Sequence, residues 1–262
     1  MEPRRISFTT DYGLDDGYVA ICHGVALTIA PQVAIIDVSH LVPGGDVRRG
    51  ARVLAQAVPF LPSGMVHVAV VDPGVGTDRR AVAVEAPRGI LVGPDNGLLP
   101  IAADALGGIS RAFELTKEEF HRGPVSRTFH GRDIFMPVGA HLATGTDPAK
   151  VGTALPADEL VRLPDPVKRS GDGWLDAEVL MVDRFGNLQT SAVADDLAEL
   201  GDRVEVGGRM ADVGTTFGSV AAGEFVTYLD SAGQVAVALN RGSAADVLRV
   251  AAGDVLRFGA AR

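Results

Sequence analysis

Aspartates stand at the ends of three predicted strands, where the loops of a parallel sheet place their ligands. They are Asp11 in the stretch FTTDYG, Asp72 in VVDPGVG and Asp95 in VGPDNG. An aspartate just after a buried strand can accept two hydrogen bonds from a vicinal diol such as ribose. The same residue type also caps helices and starts turns, and a single such aspartate favours that structural role. The presence of both Asp11 and Asp72 favours a functional pair.

Two further charged groups could join this chemistry. Arg79 and Arg80 follow the loop of Asp72, and one of them turned back toward Asp72 would form a charge-assisted pair. We expect Arg80 to be solvated. His130, in the stretch TFHGRD, could act as a base or be a structural histidine. His130 and Asp133 also have the spacing of a metal pair, but no third ligand stands at a sensible spacing, so we expect no metal.

Several other chemistries lack their motifs. There is no Walker loop, no G-x-G-x-x-G after a strand, no G-x-S-x-G elbow and no H-E-x-x-H helix. Cys22 lies in an apolar helical pattern, which predicts a core residue rather than a nucleophile. The remaining histidines have no neighbouring chemistry in sequence and are interpreted as structural: His23, His40, His67, His121 and His141.

The elements that must position these side chains change character along the chain. Up to about residue 160, short apolar runs alternate with helical patterns, which predicts an α/β domain with a mainly parallel sheet flanked by helices. Beyond a Pro/Gly-rich linker, glycine-punctuated strand patterns predict a smaller all-β, barrel-like domain. We place the domains at 1–166 and 172–262. The main predicted strands are 6–9, 33–38, 66–71, 81–85, 89–92, 175–182, 203–206, 225–229, 235–239 and 254–258, and the helices are 18–30, 47–60, 101–106 and 135–145.

Composition narrows the class of partner. The chain has 262 residues, 24 Lys and Arg against 33 Asp and Glu, a formal net charge of −9 and a sequence pI near 5.1. Such acidity disfavours nucleic acid and anionic membranes as partners. One cysteine cannot form an internal disulfide. No signal peptide or transmembrane run is visible, so we expect a soluble, cytoplasmic protein.

Two stretches of the second domain place short polar side chains beside glycine. They are DRFGN, which holds Asp183 and Asn187, and the region from Ser231 to Asn240 that continues into NRGSA. Both compositions are also what hairpin turns prefer, so a purely structural role stays open at this point.

Seven motifs in this order resemble those of the SAM hydroxide adenosyltransferases, which are adenosyl-forming S-adenosyl-L-methionine (SAM) hydrolases related to fluorinases and chlorinases. The motifs are FTTDYG, IIDVSH, VVDPGVGTDRR, VGPDNG, TFHGRD, DRFGN and NRGSA, and they span essentially the whole chain. The resemblance implies hydrolysis of SAM to adenosine and L-methionine by attack of water or hydroxide at C5′, with SAM as substrate and no cofactor. It also implies a homotrimer whose active sites lie between one chain's N-terminal domain and a neighbour's C-terminal domain.

The same resemblance assigns roles by motif. Asp72, Arg79 and His130 match the family's catalytic set. Asp11 would hold the ribose hydroxyls, while Asp183 and Ser231 would hold the methionine end and Asn187 and the Asn240 region would contact adenine.

Three alternatives to SAM hydrolysis remain: a halogenase, a binding protein and a metal-dependent hydrolase. Halogenating relatives carry Tyr-Ser where this chain has His130 and Gly131, and a tryptophan near the position of Gly45. A halide needs a tight, dry cage, so glycines and an imidazole favour water. A non-catalytic adenosine- or SAM-binding protein would use the same pocket. A metal-dependent hydrolase would use His130 and Asp133.

Overall fold

The computed structural model describes residues 5–261, which form two compact units. The first unit ends at Leu163 and the second begins at Pro164. Among the described residues, no helix is long and apolar enough to cross a lipid bilayer.

The first unit contains seven strands and four α-helices. Its strands are β1 (Ile6–Thr10), β2 (Ile35–Ser39), β3 (Met65–Val70), β4 (Ala81–Ala86), β5 (Gly89–Pro94), β6 (Arg111–Glu114) and β7 (Thr153–Leu155). Its helices are α1 (Tyr18–Ile29), α2 (Val47–Ala57), α3 (Pro100–Ala105) and α4 (Met136–Ala143), with a π-helical turn (Gly131–Phe135) just before α4 and 3₁₀ turns at Val58–Phe60, Glu118–Phe120, Pro148–Lys150 and Ala157–Glu159.

The strands form one sheet in the order β2-β1-β3-β5-β4-β6-β7. The β2, β1, β3 and β5 strands are parallel to one another, whereas β4, β6 and β7 pair antiparallel. Every residue of β1 and β3 is buried, because helices cover both faces of the sheet. One apolar core contains residues of α1 and α4, and the other contains residues of α2 and α3.

This arrangement brings three loops to one edge of the sheet. Because β1, β3 and β5 are adjacent and parallel, the residues that follow their carboxyl ends lie side by side. Asp11, Asp72 and Asp95 follow these three strands, so the sheet explains why motifs far apart in sequence meet.

The second unit is a closed barrel of seven strands with one added strand. Its strands are β8 (Lys168–Gly171), β9 (Trp174–Val182), β10 (Leu188–Val193), β11 (Arg203–Val206), β12 (Arg209–Val213), β13 (Phe225–Leu229), β14 (Gln234–Leu239) and β15 (Val255–Ala260). The ring closes where β9 pairs with β10, and β8 pairs with β9 outside the ring. Two five-residue helices, α5 (Ala194–Ala198) and α6 (Ala244–Leu248), and a 3₁₀ turn (Phe217–Ser219) lie in the connections. The predicted fold class, an α/β domain followed by a barrel-like β domain, is confirmed.

Candidate active site

Asp72 and Arg79 form a shielded ion pair at the end of β3. Arg79 Nε donates to both carboxylate oxygens at 3.0 Å, and Arg79 Nη2 donates to Asp72 Oδ2 at 2.5 Å. The side chains are only 11% and 5% exposed, so solvent screens this pair far less than a surface pair. The loop that returns Arg79 toward Asp72 is held by Thr77, whose hydroxyl donates to the Gly74 carbonyl.

Arg79 also contacts His130, 51 residues further along the chain. Arg79 Nη2 lies 2.7 Å from His130 Nδ1. Because an arginine nitrogen only donates, Nδ1 accepts this bond, and the neutral imidazole carries its proton on Nε2. The guanidinium carbon also lies 5.0 Å from the centre of the Phe135 ring, which supports the arginine from its other side. One guanidinium therefore connects the carboxylate to the imidazole.

The environment of His130 keeps the ring neutral. Burial, and then the positive charge of Arg79, lower the pKa of His130 below its ordinary value of 6.5, against opposing effects of the Asp72 and Asp133 carboxylates. A neutral imidazole at neutral pH can donate from Nε2 to a bound water or hydroxide.

Asp133 holds the turn that carries His130, and among the described residues its carboxylate has no hydrogen bond to the side chains of Asp72, Arg79 and His130, here called the triad. Its buried carboxylate accepts from the Ser126 backbone N–H at 2.9 Å and from Arg132 Nε at 2.7 Å. The guanidinium of Arg132 in turn packs 5.1 Å from the Phe129 ring centre. This network gives Asp133 a structural role, and the pairing of Asp133 with His130 that a metal site would require is not the arrangement observed.

Tyr12 is a residue of this site that the motif analysis left without a role. A Cβ added at Gly131 would lie 2.0 Å from the Tyr12 hydroxyl, so the tyrosine occupies the space that a side chain at position 131 would need. Burial, and then the Cys22 thiol and the carboxylates of Asp11 and Asp72, raise the pKa of Tyr12 well above its ordinary value. The only sequence signal was its place beside Asp11.

Asp11 lies in the loop after β1 and is tied to the neighbouring loops. Its Oδ2 accepts from the Gly45 backbone N–H at 2.8 Å. Gly45 has a φ of +74°, and a Cβ added there would lie 3.6 Å from Pro73, the residue after Asp72. The loops of Asp11, Gly45 and Asp72 are therefore contiguous.

The third strand-end aspartate, Asp95, is structural, and so is Arg80. Arg80 Nε donates to Asp95 Oδ2 at 2.8 Å, and its Nη2 reaches the Glu159 carbonyl. The side chain is 29% exposed, so Arg80 is partly solvated, as expected, and also has these partners. Sequence spacing gave no sign of this partner because Glu159 is 79 residues away. The adjacent Asn96 donates to the Val71 carbonyl at 2.8 Å and so braces the backbone just before Asp72.

In the second unit, Asp183 and Asn187 face each other across one turn. Asp183 Oδ1 accepts the backbone N–H groups of Phe185 and Asn187 at 2.8 and 2.9 Å, and Oδ2 accepts from the Asn187 amide at 2.8 Å. Gly186, at a φ of +82°, packs against Ser243, which brings the DRFGN and NRGSA motifs together. The turn between β9 and β10 thus uses both residues for its own structure.

Ser231 and Asn240 lie in other connections of the barrel. Ser231 sits in the turn between β13 and β14, where Asp230 Oδ1 accepts from the Ala232 and Gln234 backbone N–H groups. The Asn240 amide donates to the Val220 carbonyl at 2.8 Å. Burial, and then the charges of Asp183 and Asp230, raise the pKa of Tyr228 to about 12. Asp183 and the turn of Ser231 therefore both influence the same tyrosine, although no hydrogen bond joins Ser231 or Asn240 to Asp183 among the described residues.

Cys22 is fully buried, as predicted for a core residue. Burial raises the pKa of its thiol to about 12, which leaves it protonated and unreactive.

Comparison with known proteins gives matches along nearly the whole chain. The sequence model of the SAM hydroxide adenosyltransferase N-terminal domain matches residues 6–152, and that of the C-terminal domain matches residues 177–257. A protein of Salinispora tropica named (R)-S-adenosyl-L-methionine hydrolase is 57% identical, with 96% of each chain covered. A fluorinase of an Actinoplanes species is 32% identical, with 90% of each chain covered.

A solved structure gives the same result for the fold. An uncharacterized conserved protein from Thermotoga maritima superimposes with a TM-score of 0.88 at 37% identity, and the match covers 97% of this chain and 99% of that one. Together with the family matches, it confirms the resemblance that the seven motifs carried.

Proposed function

The chain belongs to the SAM hydroxide adenosyltransferase family, and we propose that it hydrolyses S-adenosyl-L-methionine to adenosine and L-methionine. The observation that carries the proposal is the chain of contacts Asp72–Arg79–His130 at the carboxyl edge of the sheet. The curated relative is named for the (R) form, so we expect the (R) epimer at sulfur to be the preferred substrate.

The reaction balances without a cofactor. A water or hydroxide oxygen forms a bond to C5′, the C5′–S electron pair passes to sulfur, and neutral methionine leaves. Because the sulfonium charge disappears while adenosine forms, one proton is released to solvent when water is the nucleophile. The leaving group needs no general acid, so the demand on the protein is to place and activate the nucleophile.

The triad could place and activate the nucleophile through the positive charge of Arg79 and the imidazole of His130. Asp72 holds the Arg79 guanidinium, and Arg79 binds Nδ1 of the His130 ring, which places the proton of the neutral ring on Nε2. The Ser126 backbone also acts on this ring, so a bound oxygen would share or displace that contact. A positive guanidinium beside a bound water favours hydroxide over water, since opposite charges lower the cost of losing the proton. His130 then orients the oxygen toward C5′.

We assign substrate-binding roles to residues of both units. Asp11 would bind the ribose diol, Asp183 and Ser231 the methionine end, and Asn187 and Asn240 the adenine. The contiguity of the Asp11 and Asp72 loops supports the first assignment. The other assignments rest on the family motifs.

Product analysis tests the function directly. The protein is incubated with (R)-SAM and with the (S) epimer, with and without chloride or fluoride, and the products are separated by chromatography. We expect adenosine and methionine from (R)-SAM, at a rate unchanged by EDTA. Bound but unconverted SAM would indicate a binding protein, a 5′-halo-adenosine would indicate a halogenase, and loss of turnover with EDTA would indicate a metal-dependent hydrolase.

The proposed assembly is a cytoplasmic homotrimer whose sites combine the first unit of one chain with the second unit of a neighbour. Light scattering would give the mass of the assembly. Mixing an Arg79→Ala variant with an Asp183→Ala variant provides a stricter test, because subunit exchange would create sites with neither defect. We expect the mixture to regain activity; two variants that stay inactive after exchange would count against shared sites.

A further inference from the structure

Three side chains that could bind a metal ion meet at β2, and none of them takes part in the Asp72–Arg79–His130 contacts. They are His23 on α1, Asp37 in β2 and His40 just after it, and their ligating atoms lie within 4.8 Å of one another. Asp37 Oδ1 is 2.9 Å from His23 Nε2 and 3.0 Å from His40 Nε2. The sequence pattern interpreted both histidines as structural without indicating this cluster, because only the packing of the helix against the strand brings His23 to Asp37 and His40.

His40 is held so that its second nitrogen faces this cluster. The side chain is only 3% exposed, and its Nδ1 lies 2.8 Å from the Thr10 hydroxyl. Metal-binding histidines are commonly oriented in this way, by a hydrogen bond at the ring nitrogen that does not bind the metal.

The Nε2 atom of His40 is left without a hydrogen bond. It has no partner of acceptable geometry in residues 5–261, even though Asp37 Oδ1 is 3.0 Å away. If Nδ1 donates to Thr10, a bare nitrogen lone pair faces a carboxylate oxygen, and two acceptors repel each other. If Thr10 donates instead, a buried N–H on Nε2 stays unpaired, which is costly. A cation bound by both atoms removes this conflict.

We propose that His23, Asp37 and His40 form a binding site for a divalent zinc ion. Two imidazole nitrogens and one carboxylate oxygen are a donor set that zinc accepts, at about 2.0–2.2 Å per ligand. Ligands of that length stand roughly 3–3.5 Å apart, so the observed separations of 2.9 and 3.0 Å need to open only slightly. The side chains of His23 and Asp37 are 29% and 43% exposed, which lets the ion and its waters enter from solvent.

The bound ion would be structural. It would join α1 to β2, and through His40 and Thr10 it would support the loop that begins at Asp11. The proposed reaction has no step at this site. EDTA treatment of the His23→Asn and Asp37→Asn variants separates the two proposals, because turnover that EDTA lowers in these variants as well would point to a metal elsewhere.

Zinc binding to the untagged, EDTA-stripped protein tests the proposal. Calorimetric titration with Zn²⁺ should give one ion per chain, and His23→Asn and Asp37→Asn should each weaken binding by at least roughly tenfold. Co²⁺ in place of Zn²⁺ should give a visible absorption band in the wild type that both variants reduce. The matched controls are His141→Asn and Asp158→Asn, which remove the same groups elsewhere in the first unit.

Thermal unfolding supplies a second measurement. Zn²⁺ should raise the Tm of the wild type and of the two controls but not that of the two site variants, because an ion that binds only the folded state stabilises it. Circular dichroism without metal would show that each variant is folded. Absence of zinc binding in the wild type, or equal affinity in the site variants and the controls, would overturn the proposal.

Discussion

The loop after β3 in the first unit and the turn after β9 in the second unit both carry an aspartate, yet the two carboxylates have different partners. Asp72 binds Arg79, which also contacts His130, 51 residues beyond it. Asp183 binds backbone and side-chain groups two and four residues on. Long-range contacts between side chains cost conformational freedom and hold a defined chemical group in place, whereas local contacts mainly shape a turn. The catalytic group is thus expected in the first unit, and the second unit should contribute binding.

The largest effect should come from the arginine that joins the distant motifs. Arg79→Ala, and likewise Asp72→Ala and His130→Ala, should lower kcat by roughly 100-fold or more, the size typical of losing an acid–base or orienting group. Arg79→Lys should stay well below the wild type, because one ammonium cannot reproduce the planar guanidinium fork. Adenosine formation from SAM is the measurement.

Arg80→Ala is the matched control for Arg79. Arg80 binds Asp95 and Glu159 instead of the triad, so its removal should change kcat only a few-fold. Full activity in all three triad variants would contradict a catalytic role for the first unit. Equal losses in the Arg79 and Arg80 variants would show that the contacts with Asp72 and His130 are not what makes Arg79 important.

A smaller effect should follow from crowding the turn of His130. Gly131→Ala places a Cβ 2.0 Å from the Tyr12 hydroxyl, and such overpacking costs about 1–3 kcal/mol of the free energy of unfolding. Tyr12→Phe in the same chain removes the oxygen and should recover part of the loss. Urea unfolding measures both variants.

Gly24→Ala serves as the comparison for Gly131→Ala. A Cβ at Gly24 on α1 meets nothing within 4 Å, and alanine favours helix there. It should leave stability unchanged or slightly raised. Equal destabilisation by the two substitutions would mean that the contact with Tyr12 is not the cause.

The second unit should affect binding more than chemistry. Asp183→Asn keeps an acceptor oxygen for the turn but removes the negative charge, so the barrel should stay folded. If Asp183 binds the methionine ammonium, KM should rise about tenfold, in line with a lost charged hydrogen bond, while kcat stays within a few-fold. A fall in kcat with unchanged KM would reverse the roles given to the two units.

The smallest effect concerns the acid side of the pH profile. All six histidines lie within the first 141 residues, so titration of histidine belongs to the first unit. Because burial and Arg79 lower the pKa of His130, its neutral form persists as the pH falls through 6.5. The kcat should therefore stay level through pH 6.5 and fall only at lower pH, as His130 becomes protonated. An acid limb at or above pH 6.5 would contradict this assignment.

The fold was predictable wherever the local pattern was strong. Short apolar runs identified β1, β3 and β5, and the parallel pairing of β1 with β3 follows from the helices between them. Only β4 separates β3 from β5 in sequence, so the parallel pairing of those two strands does not follow from the pattern. Strands such as β6, β8, β10 and β12 were not predicted, because they are short or polar and gain their stability from neighbouring strands. The sequence of β12, RMADV, for example, shows no alternation of apolar and polar residues that would distinguish it from a loop.

The candidate site was predictable to the level of motifs but not of contacts. Residue types and order pointed to Asp72, Arg79 and His130, and the sheet brings them together. Three features depend on tertiary packing between distant segments: the partners of Arg80, the meeting of His23 with His40 and the position of Tyr12. The largest separation is the 119 residues between Tyr12 and Gly131. Spacing along a chain carries no information about such pairs.

The contact between Tyr12 and Gly131 has a consequence for how this family can vary. Two positions in different motifs share one small volume, so neither can change size independently. Across homologous sequences, a side chain at position 131 should therefore occur together with a residue smaller than tyrosine at position 12. A change in the nucleophile-facing turn would then need at least two substitutions, with the one at position 12 arising first or alongside the other.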